Sequence, residues 1–198
     1  SPNWSPDGTK IVFSSSGDIY SINADGTNLA NLSSDQAYDQ SSPSWSPDGT
    51  KIAYTHQGYT GTDNGIYTMN PDGSGKIRLS NDIYIWASPS WSADGTKIVF
   101  QYFNWDTFEN GISIMNADGS GRVQLLSGNA RGPVFSTDGT KIIFAVDDGN
   151  WNPVPGYQTF NIHIMNVDGT GDTRLTNGVY DEFNPHMRQL PVVIHPNP

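Results

Sequence analysis

Apolar and polar side chains alternate in short runs along this chain, and the runs stop at Asp-Gly turns. Ile19-Tyr20-Ser21-Ile22 leads into Asn23-Ala24-Asp25-Gly26, and Ile66-Tyr67-Thr68-Met69 into Asn70-Pro71-Asp72-Gly73. Ile112-Ser113-Ile114-Met115 and Ile162-His163-Ile164-Met165 lead into Asn116-Ala117-Asp118-Gly119 and Asn166-Val167-Asp168-Gly169. A period of two predicts strands with one buried face, and Asp-Gly supplies the positive φ that a tight hairpin needs. No segment carries helical periodicity of useful length.

A second series of turns precedes each of these. Ser46-Pro47-Asp48-Gly49-Thr50-Lys51-Ile52-Ala53-Tyr54 shows it best: a turn, then a run of strand-forming residues. It recurs at Trp4–Phe13, Trp91–Phe100 and Phe135–Phe144. The turn aspartates Asp7, Asp48, Asp94 and Asp138 lie 41, 46 and 44 residues apart. Short polar strands around Leu32, Leu79, Leu125 and Leu175 complete each unit. Each unit therefore has four strands, A to D, with hairpins at the two Asp-Gly turns. A period of this length with four strands predicts propeller blades. The expected fold is all-β: a β-propeller of four four-stranded antiparallel blades over residues 1–180, with an extended tail at 181–198.

The run Ser42-Pro43-Ser44-Trp45-Ser46-Pro47-Asp48-Gly49-Thr50-Lys51-Ile52-Ala53-Tyr54, followed by Gly65-Ile66-Tyr67-Thr68-Met69-Asn70-Pro71-Asp72-Gly73-Ser74 and Arg78-Leu79-Ser80, resembles the TolB-type propeller repeat. The resemblance spans about residues 1–178. It implies the fold strongly and the function weakly, because one fold hosts many functions. Similar repeats occur in periplasmic TolB, in the propeller halves of prolyl-oligopeptidase-like enzymes, and in pectin-degrading lyases. Members of the family often have six or more blades, against four here.

Composition narrows the class. Six Trp, nine Tyr and eight Phe supply enough apolar area for a packed fold despite many Gly and Pro. The net charge of −10 argues against nucleic acid or an anionic membrane surface as partner. The chain has no cysteine, hence no disulfide or thiol chemistry, and no apolar run long enough to span a membrane. Together with the resemblance, this fits an exported bacterial protein, periplasmic or extracellular.

Few residues invite catalysis. His56, His163, His186 and His195 lack metal-ligand spacing, so no metal or other cofactor is expected. There is no Gly-x-Ser-x-Gly elbow, so peptidase activity of the prolyl-oligopeptidase type is not expected. Asp147-Asp148, Asp106 with Glu109, and Asp181-Glu182 read as solvated loop acids. Trp4, Trp45, Trp91 and Phe135 share one repeat position and are expected to pack between blades.

The informative excess is aromatic. In antiparallel blades the A–B and C–D turns share one end, and the B–C and D–A loops share the other. That loop end carries Tyr84, Trp86, Trp105, Phe108, Trp151 and Tyr157, outside any repeat position. Irregular loops on a rigid scaffold are where binding concentrates, and such aromatics suit a protein partner or a sugar face. Tyr180 to Arg188 resembles the start of another strand A, and Leu190-Pro191-Val192-Val193-Ile194 is a β-prone run between prolines. Three outcomes are open for this tail: closing the four-bladed ring on itself, linking to a further domain, or strand exchange between copies, for which Phe183, Leu190, Val192, Val193 and Ile194 are the candidates. The expected role is a non-catalytic scaffold for protein partners or self-assembly, including filaments built through the tail. The competing reading is a glycan-binding protein, or a polysaccharide lyase or glycosidase, using the same aromatic loops.

Overall fold

A computed structural model describes residues 2–34, 38–58, 63–80, 88–104, 107–151 and 158–176, with the backbone alone at 148–151 and 158–159. Blade 1 comprises β1 (Asn3–Trp4), β2 (Lys10–Ser15), β3 (Asp18–Asn23) and β4 (Ala30–Asn31). Blade 2 comprises β5 (Tyr38–Trp45), β6 (Ile52–Gly58), β7 (Gly65–Met69) and β8 (Ile77–Arg78). Blade 3 comprises β9 (Ser90–Trp91), β10 (Lys97–Phe103), β11 (Asn110–Asn116) and β12 (Val123–Ser127). Blade 4 comprises β13 (Ala130–Phe135), β14 (Lys141–Trp151), β15 (Gln158–Asn166) and β16 (Thr173–Arg174).

Each blade is one antiparallel sheet with its strands in chain order, as the turn chemistry predicts. The A strands β1, β5, β9 and β13 touch one another in succession, so they stand innermost and the D strands outermost. The register repeats closely. Trp4 pairs with Ile11, Trp45 with Ile52, Trp91 with Ile98 and Phe135 with Ile142.

The A–B turns hold themselves together. Ser46 Oγ donates to Asp48 Oδ1 at 2.6 Å and accepts the Lys51 N–H at 2.9 Å. Asp48 also accepts the Thr50 N–H at 3.0 Å. Ser5, Ser92 and Ser136 repeat this with Asp7, Asp94 and Asp138. The serine, aspartate and threonine of the motif thus satisfy backbone donors that the turn would otherwise leave unpaired.

The core lies between blades. Val12, Ile19 and Leu32 of blade 1 meet Trp45, Ile52, Tyr54 and Met69 of blade 2. Ala53 and Ile66 of blade 2, with Leu79 at the margin, meet Ile98, Phe100 and Met115 of blade 3. Val99 and Ile112 of blade 3 meet Ile142, Phe144 and Met165 of blade 4. Full burial of such side chains contributes about 1.5–3 kcal/mol each. One expectation fails here. Trp4 is 57% exposed, whereas Trp45 at the same repeat position is 7% exposed. Trp45, Trp91 and Phe135 each pack with residues of the preceding blade, and Trp4 belongs to none of these inter-blade clusters among the described residues.

Candidate functional site

The loop end of blade 2 is built from three strands. A bulge between Ser41 and Ser44 in β5, with Ser42 at φ 54°, resets its pairing with β6. Tyr38 then pairs with Gly58, and its ring lies 4.4 Å from that of His56. His56 lies 4.5 Å from Tyr67, which is 5.9 Å from Tyr54. Polar groups fix this ladder at its rim. The Tyr38 hydroxyl lies 3.3 Å from Asp63 Oδ2, and the Tyr67 hydroxyl donates to the Asp63 carbonyl at 3.1 Å. Burial, the largest influence, pushes the Tyr67 phenol above its usual pKa.

Arg78 ties the outer strand to the same loop. Its Nε donates to the Ser80 carbonyl at 2.8 Å and its Nη2 to the Asn64 carbonyl at 2.7 Å, and Asp63 lies 4.0 Å from Nη1. Arg174 does the equivalent in blade 4, reaching Asn161 Oδ1 and the Thr176 carbonyl. In blade 3, Arg122 lies over the rings of Phe100 and Tyr102, at 5.3 and 5.4 Å. Sequence reasoning weighed His56 only as a metal ligand and did not anticipate its stacking with Tyr38 and Tyr67 or the roles of Asp63 and Arg78. The recurring Arg before Leu in strand D was the available signal.

In blade 3 the B–C loop is closed at its base by the Asn104 N–H on the Glu109 carbonyl, at 2.7 Å. The Thr107 N–H donates to Asn104 Oδ1, and the Thr107 hydroxyl to Glu109. Between them Phe108 sits in the left-handed region, φ 56°, with 71% of its surface exposed. Left-handed backbone is costly for an aromatic residue and marks a position held by its surroundings. In blade 4 the backbone of Trp151 pairs with Gln158, so the B–C hairpin reaches further than its sequence suggested. Tyr84, Trp86, Trp105 and Tyr157 lie outside the described residues, as do Phe183, Leu190, Val192, Val193 and Ile194.

The turn end carries the opposite character. A groove of about 420 Å³ between blades 2 and 3 is lined by residues including Asp48, Asp94, Asp118, Lys51 and Trp91. Its carboxylates accept from their own turns: Ser46, Ser92 and Ser120 each donate to one of them at 2.6 Å. These bonds hold all three below the ordinary carboxylate pKa, with Asp94 at about 2. His163 Nδ1 meets Asp172 at 2.8 Å and its ring stands 5.6 Å from Phe144, a pairing within one blade. Among the described residues, no three His, Asp or Glu side chains stand together as metal ligands.

Radial blades with innermost A strands and self-capped Asp-Gly turns define a β-propeller of the PD40 type. The chain belongs to the TolB beta propeller domain family, which it matches over residues 1–155. Among solved structures it is similar to a putative TolB from Agrobacterium tumefaciens, at 24% identity and a TM-score of 0.74, covering 89% of this chain and 61% of that one. TolB from Acinetobacter baumannii follows at 22% identity and 0.70, covering 89% and 43%. An oligogalacturonate lyase from Vibrio parahaemolyticus shares the fold at 12% identity and 0.64, covering 87% and 50%. The chain thus spans less than two thirds of these structures. A search of curated protein sequences finds no significant match.

Proposed function

We propose that this chain is a non-catalytic, exported interaction scaffold, periplasmic or extracellular, whose contact surface for protein partners is the loop end of the blades. The observation that carries this reading is Phe108. A large apolar ring is presented to solvent on a loop closed at its base, at the end of blade 3 that corresponds to the end of blade 2 carrying the Tyr38–His56–Tyr67 ladder. Exposed aromatics on a fixed frame contribute contact area at low entropic cost, which is the usual make-up of a binding hot spot. Membership of the TolB propeller family supports the same reading. The turn end suits it less, because its polar groups are engaged in their own hairpins.

The experiment is a direct challenge with oligogalacturonate and polygalacturonate, chosen because lyases of this fold act on such sugars. Product absorbance follows elimination, and tryptophan fluorescence follows binding. The scaffold reading expects neither signal above that of a Trp105→Ala, Trp151→Ala double variant. Unsaturated product, or a saturable fluorescence change lost in that variant, would replace it with the carbohydrate reading.

A further inference from the structure

Nine aspartates of this chain are followed directly by glycine, eight at the hairpin turns and the ninth, Asp148, within β14. The dipeptide is chemically weak. Glycine leaves its own amide nitrogen unhindered, so that nitrogen can attack Cγ of the aspartate before it. The N–H proton leaves, an N–C bond forms, and a carboxyl C–O bond breaks with loss of water. Water then reopens the cyclic imide at either carbonyl, which returns aspartate or leaves isoaspartate, with no net change of mass. Isoaspartate carries one extra carbon in the backbone, which spoils the register of a hairpin.

At the eight turns both reacting groups are occupied. The glycine N–H donates back across the turn: Gly49 to the Ser46 carbonyl, Gly95 to that of Ser92 and Gly73 to that of Asn70, each at 2.9 Å, and the other five do the same. The carboxylate is held as well. Asp94 Oδ1 accepts the Ser92 hydroxyl at 2.6 Å, the Thr96 N–H at 3.0 Å and the Thr96 hydroxyl at 2.9 Å. Asp72 accepts the Ser74 N–H at 2.9 Å and its hydroxyl at 2.6 Å. Imide closure needs the neutral carboxyl, which can release water, and donors that favour the anion withhold that form. The lowered pKa values of these aspartates agree. At Gly73 and Gly119 an added backbone carbon also lacks room, because even a Cβ would stand 2.4 and 2.5 Å from the carbonyl oxygens of Leu32 and Leu79.

Asp148 is placed differently. Each turn aspartate has Ser or Asn two residues before it and Ser or Thr two residues after, where Asp148 has Val146 and Asn150. The pairing of β14 with β15 runs from Asp147–Phe160 to Trp151–Gln158, so Asp148 and Gly149 fall inside the register shift. We propose that the eight turns protect their own Asp-Gly bonds, and that Asp148–Gly149 is the position at which this chain forms isoaspartate. The Ser-x-Asp-Gly-Thr pattern then has two roles: it shapes the hairpin, and it keeps a labile bond from closing on itself. Neither role depends on the loop end as a contact surface, so each reading can fail alone.

Ageing of the full 198-residue chain at neutral pH tests it, with isoaspartate measured site by site in proteolytic peptides. The same chain kept unfolded in guanidinium chloride supplies the reference rate of each bond. In the folded chain Asp148 should age close to its unfolded rate. The turn aspartates should age slower than theirs by on the order of tenfold or more, the factor that one hydrogen bond to a charged group supplies. Ser92→Ala should speed the reaction at Asp94 by about fivefold and leave Asp48 unchanged, whereas Ser92→Thr, which keeps the hydroxyl, should not. Thr96→Val removes a donor at an exposed position and repeats the test with less demand on the fold. Circular dichroism checks that each variant is folded. Turn bonds that age as fast folded as unfolded, or an Asp94 rate indifferent to both Ser92→Ala and Thr96→Val, overturn the proposal. So does an Asp148 that ages as slowly as the turns, because folding alone would then account for the protection.

Discussion

The backbone of Gly73 lies directly against the carbonyl of Leu32 in the preceding blade, close enough that a Cβ there would stand 2.4 Å from the oxygen. The turn at Gly73 is therefore a packing element as well as a hairpin, and its glycine is required twice: for φ +85° and for the approach.

That relationship separates two chemically identical substitutions. Gly73→Ala combines a left-handed alanine with a clash against backbone and should cost about 2–5 kcal/mol. Gly26→Ala, at the same φ with no neighbour within 4 Å, should cost only about 1–2 kcal/mol. Urea unfolding of the two variants measures both losses. Equal losses would contradict the role given to inter-blade approach.

A second contrast concerns the core. Phe100 is fully buried between blades 2 and 3, and Phe100→Ala should cost about 3–5 kcal/mol. Phe13 holds the same position in blade 1 but is only partly buried, stacked 5.8 Å from Tyr20. Phe13→Ala should cost about 1–2 kcal/mol under the same conditions. Comparable losses would mean that blade 1 is covered as fully as blade 3.

The turn serine is a third test. Ser46 is 3% exposed, and its hydroxyl both donates to Asp48 and accepts the Lys51 N–H. Ser46→Ala leaves that N–H without its side-chain partner and should destabilise by about 1–3 kcal/mol. Ser46→Thr should recover part of the loss if the hydroxyl is what matters. Thermal melts of the three proteins check the order.

Acid sensitivity follows from the same turns. Hydroxyl donors, the largest influence, hold Asp7, Asp25, Asp48, Asp72, Asp118 and Asp168 below the ordinary value, and Asp94 and Asp138 at about 2. A carboxylate with its pKa lowered by folding stabilises the fold fully above its unfolded value of 3.8. That contribution is lost as pH falls from there to about 2. The melting temperature should therefore drop through this window. Asp94→Asn should melt below wild type near neutrality, and the gap should narrow toward pH 2. A gap independent of pH would show that these hydrogen bonds do not depend on the charge.

The blades were legible in the sequence because their causes are local. Period-two alternation sets the buried face of each strand, and Ser-x-Asp-Gly-Thr-Lys sets the turn, so strand order and register follow. Burial was less legible, because it depends on what stands beside a blade. Trp4 and Trp45 sit in nearly the same local sequence, yet one is 57% and the other 7% exposed. The ladder of Tyr38, His56 and Tyr67 escaped notice for a related reason. It draws on three strands, and the bulge near Ser42 sets their register. The aromatic excess at the loop end was visible. Of its members, the structure describes the side chain of Phe108 and finds it exposed, and the tail residues lie outside the described part.

The most direct test of the loop-end account is site-specific photo-crosslinking in the producing cell. A benzophenone side chain replaces Phe108 in one variant and Asn28, at the turn end, in another. The account predicts a discrete adduct between this chain and a different protein from position 108, absent from position 28 and reduced by Trp105→Ala. No adduct from position 108, or the same adduct from both positions, would contradict it.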